Sequence, residues 1–209
     1  MISPRAALDR LRDGNRRFVA GISHLDGLEH DARRDELMAG QRPFAVILGC
    51  SDSRVPVELV FDQGLGDLFV IRVAGNIVAP SQIGSVEFAV EQYGTRLVMV
   101  LGHSQCGAIE ATLEQLEQPR AARSPHLLSI VDRIGPAIES LLEVGAGLPP
   151  DDLRLRATRA NTRAAVHHLR HGSRILEERI AAGDVLVVGA HYSLATGEVD
   201  VFDGAPSGT

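Results

Sequence analysis

Four short runs dominated by apolar residues constrain the fold of this chain more than any other feature of its sequence. They span 44–48, 67–73, 96–101 and 184–189. Continuous apolar runs of this length are typical of parallel strands that are covered on both faces. Segments with helical periodicity lie between them, which predicts an α/β fold with a mostly parallel central sheet of four strands and helices on both faces. A short edge strand is predicted at 198–201.

The predicted helices fill most of the remaining chain. Their patterns cover 56–61, 85–93, 106–116, 129–144 and 151–182, with a break near Gly172 in the last of them. Ser3 caps an amphipathic helix at the N-terminus, and Gly21 ends it. Residues 22–42 are polar and irregular, with a short helix predicted at 33–39. We therefore predict one domain over 1–209, with a helical arm and linker at 1–42 and an α/β core at 43–209.

Composition excludes several classes of protein. Lys and Arg number 21 and Asp and Glu number 27, so the net charge is −6, and aromatic residues make up only 4% of the chain. An acidic chain with few aromatics is poorly suited to phosphate backbones or to stacking on bases, so we expect no nucleic-acid partner. The apolar runs are too short to span a membrane, and the N-terminal residues lack an apolar secretion core. We expect a cytoplasmic protein with no membrane partner.

The two cysteines of the chain both follow predicted strands. Cys50 lies in G-C-S-D-S-R after the first strand, and Cys106 lies in G-H-S-Q-C-G after the third, three residues beyond His103. Ligands of open α/β sheets bind outside the carboxyl ends of the strands, so these loops can converge. Two thiolates and an imidazole suit zinc, and three protein ligands leave the open fourth position of a catalytic site. The alternative is that each cysteine is a small buried apolar residue.

These motifs resemble those of the β-class carbonic anhydrases, zinc enzymes that interconvert carbon dioxide and bicarbonate. The resemblance rests on C-S-D-S-R at 50–54 and G-H-S-Q-C-G at 102–107, with further similarity at 61–76 and 188–197. It implies that Zn²⁺ is held by Cys50, His103 and Cys106. It also implies that hydroxide bound to zinc hydrates carbon dioxide reversibly to bicarbonate and a proton.

The resemblance further implies that Asp52 and Arg54 form an Asp–Arg pair beside the metal. A carboxylate at Asp52 can orient the hydroxide by accepting its hydrogen bond, while Arg54 keeps Asp52 ionised and aimed. Two states are implied: an open one with Asp52 on Arg54, and a closed, inactive one with Asp52 as the fourth metal ligand. Away from Cys50, such a pair would be an ordinary surface ion pair.

Two other residues match a bicarbonate pocket that a subset of this family carries away from the metal. They are Arg72, at the end of the second strand, and Tyr192. Ile47 occupies the position where that pocket usually has a tryptophan. The alternative for Arg72 is a structural ion pair, because a buried guanidinium needs an anionic partner.

Other functions are compatible with the same motifs. The site could hydrolyse carbonyl sulfide or carbon disulfide, which are isosteres of carbon dioxide. It could also be a non-catalytic zinc or bicarbonate-sensing module, or the two cysteines could form a reversible disulfide. The pair Asp52 and Arg54 argues against a purely structural zinc site, which has no use for them.

The apolar face of the N-terminal helix is expected to be incompletely covered by the core. It resembles an arm that clasps a partner subunit in this family, which implies a homodimer or homotetramer. Among the remaining histidines, His167, His168 and His171 fit an exposed helix face better than a metal site. His191 could accept a proton, but packing or a backbone hydrogen bond is the favoured role.

Overall fold

The central sheet of the computed structural model has five strands in the order β2-β1-β3-β4-β5. The structure describes residues 2–23, 30–119, 124–144 and 147–205. The first four strands run parallel, and the last pairs antiparallel with its neighbour. Their bounds are β1 (Ala45–Gly49), β2 (Leu68–Arg72), β3 (Leu97–His103), β4 (Leu186–Tyr192) and β5 (Val199–Asp203). The predicted four-stranded parallel sheet with a short edge strand is therefore confirmed.

Helices cover both faces of this sheet, as predicted. Within the described residues they are α1 (Pro4–Val19), α2 (His30–Leu37), α3 (Val57–Val60), α4 (Pro80–Tyr93), α5 (Gly107–Glu117), α6 (Pro125–Val144), α7 (Pro150–His171) and α8 (Arg174–Ala181). Side chains of α1 and α3 pack on one face, and those of α4, α7 and α8 pack on the other. Strands β1 and β3 are buried along their whole length because both of their faces are covered.

Several element boundaries differ from the sequence prediction for identifiable reasons. Helix α4 begins at Pro80 rather than 85, because proline is well tolerated in the first turn of a helix. The break predicted near Gly172 is confirmed, and Ser173 caps α8 by accepting a hydrogen bond from the Leu176 N–H. Strands β3 and β4 continue to His103 and to Tyr192, beyond the ends of their apolar runs. Polar residues in a buried strand concealed these extensions.

The first half of the N-terminal helix packs on the core of its own chain, whereas its last turn leaves apolar side chains uncovered, so the predicted incomplete cover of its apolar face holds for that end of the helix. Ala7, Leu8 and Leu11 are at most 1% exposed and belong to the same apolar cluster as the sheet. The large apolar side chains that stay exposed along this segment are Phe18 and Val19 at the end of the helix, Ile22 after it and Ile2 before it.

A backbone contact and a buried amide hold α1 in place. A Cβ atom at Gly14 would overlap the carbonyl oxygen of Phe61, so only glycine permits this approach. The buried Asn15 amide donates to the carbonyls of Val60 and Gly197, at 3.1 and 2.8 Å. Its oxygen accepts from the Val199 N–H at 2.9 Å. The helix is thus joined to α3 and to the start of β5.

No helix within the described ranges is both long enough and apolar enough to cross a bilayer.

Two glycines in helices give opposite predictions for substitution by alanine. Gly14→Ala should destabilise the chain by roughly 2 kcal/mol, because the added methyl group collides with backbone. Gly84→Ala in α4 should stabilise it by about 0.5–1 kcal/mol, because a methyl group there meets open space and alanine favours the helix. Guanidinium unfolding monitored by circular dichroism measures both free energies. Equal changes in the two variants would contradict the close contact between α1 and Phe61.

Candidate metal centre

The parallel pairing of β1 with β3 brings the two cysteine loops together. Gly49, the last residue of β1, lies in register with Leu101 of β3. Cys50 follows directly, and His103 ends β3, so both residues lie at the carboxyl edge of the sheet. Cys106 precedes the first turn of α5 and is the N-cap residue of that helix. One ligand atom from each of Cys50, His103 and Cys106 lies within 4.8 Å of the others, as the strand-end argument predicted.

These three side chains are buried and oriented by the backbone. Cys50 is 5% exposed, Cys106 is 3% exposed and His103 is fully buried. The Gly75 N–H donates to Cys50 Sγ at 3.4 Å, and His103 Nδ1 contacts the Ser104 carbonyl oxygen at 2.9 Å. The Nε2 atom of His103 is buried and has no hydrogen-bond partner among the described residues. An orphaned imidazole nitrogen beside two sulfur atoms fits a metal ion such as zinc.

The two sulfurs are strongly coupled to each other. The hydrogen bond with Cys106 is the main cause that lowers the pKa of Cys50 to about 4, and His103 and the Gly75 N–H act in the same direction. The same hydrogen bond and burial raise the pKa of Cys106 above its usual value. The lowered pKa of Cys50 favours its thiolate, the form in which cysteine binds metals. The two cysteines are free, with no disulfide between them.

Asp52 and Arg54 form a bidentate ion pair next to this cluster. Arg54 Nε donates to Asp52 Oδ1 at 2.9 Å and Nη2 donates to Oδ2 at 2.8 Å. The backbone N–H of Arg54 also donates to Oδ1 at 2.9 Å. These hydrogen bonds from Arg54 hold the pKa of Asp52 well below its usual range. Asp52 Oδ2 lies 4.0 Å from His103 Nε2, so the carboxylate lies beside the metal-ligand atoms while it remains paired with Arg54.

Arg72 supports the Cys50 loop through the backbone. Its Nε donates to the Cys50 carbonyl oxygen at 2.9 Å, and its Nη2 donates to that of Asp52 at 2.6 Å. Arg72 ends β2 and Tyr192 ends β4. Because β1 and β3 lie between these two strands, β2 and β4 are about 14 Å apart. Ile47 is fully buried in the same apolar cluster as Tyr192. The bicarbonate pocket stays a prediction, and the contacts of Arg72 show a second use for its guanidinium.

The other histidines singled out in the sequence lie outside the cluster. His167, His168 and His171 are exposed on α7, as expected, and the rings of His167 and His171 have centroids 4.6 Å apart. His191 is buried on β4. Burial, with help from the nearby Arg159 charge, lowers the pKa of His191 to about 4, so it is neutral at pH 7. A group so hard to protonate is a poor proton acceptor, which agrees with a packing role.

Sequence reasoning missed the residues that orient the site from neighbouring segments. Gly75 lies in a short 3₁₀ turn, Ala74–Asn76, and its positive φ of 69° lets its N–H point at Cys50. The Gly-Asn dipeptide after β2 was the signal for that turn. Gln105 contacts Arg54 through its side chain and its carbonyl, and the sequence held no sign of this.

Comparisons with known proteins agree with this geometry. The family model described as carbonic anhydrase matches residues 45–199. The chain is 42% identical over 201 residues to a carbonic anhydrase of Mycolicibacterium smegmatis, covering 95% of this chain and 93% of that protein. It is 38% identical over 201 residues to carbonic anhydrase 2 of Mycobacterium tuberculosis H37Rv, covering 96% and 94%. The fold is similar to the solved β-carbonic anhydrase CcaA, with a TM-score of 0.75, 29% identity and coverage of 94% and 95%.

The matched segment contains both cysteine loops and runs from β1 to the start of β5. A parallel sheet with a Cys–His–Cys cluster at its carboxyl edge is the architecture of a metal-binding α/β enzyme. The chain belongs to the β-carbonic anhydrase family, whose general reaction is the hydration of carbon dioxide.

Removal of the imidazole should abolish metal binding. We expect His103→Ala to bind no metal ion, because two sulfurs alone do not complete the donor set. His168→Ala removes an exposed histidine from α7 and should keep the full metal content. Elemental analysis of the purified variants measures this, and Cys50→Ser tests the same site with a smaller change in volume. A His103→Ala variant with undiminished metal content would exclude this cluster as the metal site.

Proposed function

We propose that this chain catalyses the zinc-dependent, reversible hydration of carbon dioxide to bicarbonate and a proton. The observation that carries the proposal is the convergence of Cys50, His103 and Cys106 within 4.8 Å, beside the ion pair of Asp52 and Arg54. Zinc bound by these residues would act as a Lewis acid that provides hydroxide near neutral pH, the nucleophile that carbon dioxide requires.

The donor set supports zinc as the cofactor. Two soft sulfur ligands and one imidazole favour zinc over magnesium or calcium, which prefer oxygen. Three protein ligands leave a coordination position for solvent, whereas a structural site would be closed by four. An apolar cluster around the two sulfurs limits the access of water to them; its members include Ile77, Ile109, Leu113, Ile134 and Ile138. Burial of this kind strengthens electrostatic interactions inside the site.

In this proposal Asp52 orients the nucleophile. An ionised carboxylate only accepts hydrogen bonds. Asp52 can therefore accept a hydrogen bond from the attacking hydroxide, which directs a lone pair of the hydroxide oxygen to carbon dioxide. Arg54 donates a hydrogen bond to each of the two carboxylate oxygens and keeps Asp52 ionised. The two hydrogen bonds between Asp52 and Arg54 are those that the open state requires, and they support a mechanism that uses this state.

The ion pair favours catalysis over a non-catalytic metal or bicarbonate-sensing module. A charged pair next to a metal site has a cost in desolvation that a structural site does not require. Carbonyl sulfide and carbon disulfide are close isosteres of carbon dioxide, and assays with these gases under the same conditions distinguish the three substrates.

Compartment and assembly follow from two further features. Two cysteines that must stay reduced to bind metal suit a reducing compartment, so we propose a cytoplasmic location. The exposed apolar side chains of Phe18, Val19 and Ile22 offer a surface that a second copy of the chain would cover. We propose a homodimer or homotetramer on this basis.

Stopped-flow measurement of carbon dioxide hydration tests the proposed function. Activity should disappear when zinc is removed by a chelator and return when zinc is restored. Asp52→Asn and Arg54→Ala should each lower kcat by about 100-fold or more, because each removes the oriented carboxylate from the reaction, and both should keep their zinc.

Asp184→Asn serves as a matched control for these variants. Asp184 is partly exposed just before β4, at the opposite edge of the sheet, and the substitution should leave the rate unchanged. Full activity after complete zinc removal, or a near-normal rate in either variant of the pair, would refute the mechanism.

The pH dependence of kcat/KM should rise on the alkaline side of neutrality. Two thiolates and a neutral imidazole cancel the charge of Zn²⁺, so they weaken its acidifying effect compared with three imidazoles. The pKa of Asp52 is lowered and that of Arg54 is raised, so neither group changes charge near neutral pH and neither causes the rise. A pH–rate profile with its midpoint well below neutrality is the result that would contradict this.

A further inference from the structure

Gln105 has a backbone conformation that its side chain does not favour. Its φ is +55°, in the left-handed region, and only Asp62 and Asn76 share a positive φ among the described residues other than glycine. Asparagine and aspartate tolerate this conformation better than glutamine does, because their short side chains bond locally. The left-handed conformation is therefore unfavourable for glutamine, and such strain persists only where the surroundings fix the backbone.

The loop around Gln105 is fixed on both sides. The Ser104 N–H donates to the carbonyl oxygen of Tyr192 at 3.0 Å, and Ser104 Oγ accepts from the Leu194 N–H at 2.9 Å. On the other side Cys106 caps α5. Gln105 must therefore make the turn between an anchored serine and the start of a helix.

The strained turn places two acceptors on the guanidinium of Arg54. The carbonyl oxygen of Gln105 accepts from Arg54 Nη2 at 3.1 Å, and Gln105 Oε1 accepts from Nη1 at 3.3 Å. Asp52 accepts from Nε and from the same Nη2, whereas it makes no hydrogen bond with Nη1. The Nη1 contact therefore does not compete with Asp52 for a donor. It connects the loop after β3 to the loop after β1.

We propose that Gln105 is a positioning residue that holds the Arg54 guanidinium in the orientation that aims Asp52. The inference rests on the proposed function of the Asp52–Arg54 pair. Arg54 needs a further contact because its side chain is 48% exposed and an arginine side chain can adopt many rotamers. With only Asp52 as a partner, both side chains could move together away from the metal-ligand atoms. With Gln105 as a second partner, the guanidinium is fixed relative to both loops.

Three substitutions at position 105 test the role. Gln105→Met keeps the length of the side chain but has no acceptor for Nη1, and Gln105→Gly removes the side chain and favours the left-handed backbone. We expect both to lower kcat about three- to tenfold, the loss of one hydrogen bond to a charged group, with KM unchanged and zinc retained. Gln105→Glu keeps an acceptor oxygen at the same distance and should stay within about twofold of the wild-type rate.

Thermal unfolding of Gln105→Gly separates positioning from a structural role. Glycine relieves the backbone strain, so its unfolding midpoint should be no lower than that of wild type while its kcat falls. If Gln105 only shaped the loop, the glycine variant would be at least as active as wild type. Wild-type kcat in both the Gly and Met variants, or a loss in Gln105→Glu as large as in Gln105→Met, would overturn the proposal.

The Arg54→Ala background distinguishes this inference from the function on which it rests. If Gln105 acts through Arg54, Gln105→Met should have no further effect on kcat once Arg54 is alanine. If the loss of kcat in the double variant equals the product of the losses in the two single variants, Gln105 acts independently of Arg54. A near-normal rate in Arg54→Ala itself would refute the role of the ion pair, whereas a large loss there with no effect at Gln105 would refute only the positioning role.

Discussion

The parallel pairing of β1 with β3 is the constraint on which the metal centre depends. These two strands are adjacent in the sheet although a strand, a 3₁₀ turn and two helices separate them along the chain. Their register fixes how far the Cys50 loop stands from His103, and their burial on both faces leaves neither strand free to slide. A slip of one residue would turn the apolar side chains of the slipped strand to the opposite faces, so the register is strongly specified.

Charge is arranged in two layers around that edge of the sheet. The inner layer is the Cys–His–Cys cluster, buried and almost dry. The outer layer is Asp52 with Arg54, where the carboxylate is mostly buried and the guanidinium is half exposed. Arg72 binds the Cys50 loop from the side of β2 through backbone oxygens. The order from buried sulfur to half-exposed guanidinium keeps the Cys–His–Cys cluster away from solvent and places the ion pair on its outer side.

The sequence was most informative where local signals agree with the tertiary structure. The apolar runs identify all four parallel strands, and the rule that ligands bind at strand ends predicts from the sequence alone that Cys50, His103 and Cys106 lie together. The strand extensions to His103 and Tyr192 were not predictable from periodicity, because polar residues are buried there for reasons that lie in neighbouring segments. The close approach of α1 to Phe61 was not predictable, because it depends on Gly14, and a glycine inside a helical pattern does not show which backbone atom it admits.

The apolar clusters on the two faces of the sheet enclose it without any contribution from the metal ligands. The chain therefore resembles neither a zinc finger nor any small domain whose folding free energy is supplied by its ion. Of the three apolar clusters, only the one that surrounds Cys50 and Cys106 includes candidate metal ligands, so the packing on both faces of the sheet does not require an ion. Under the proposed function, the chain without its zinc would be folded but unable to hydrate carbon dioxide.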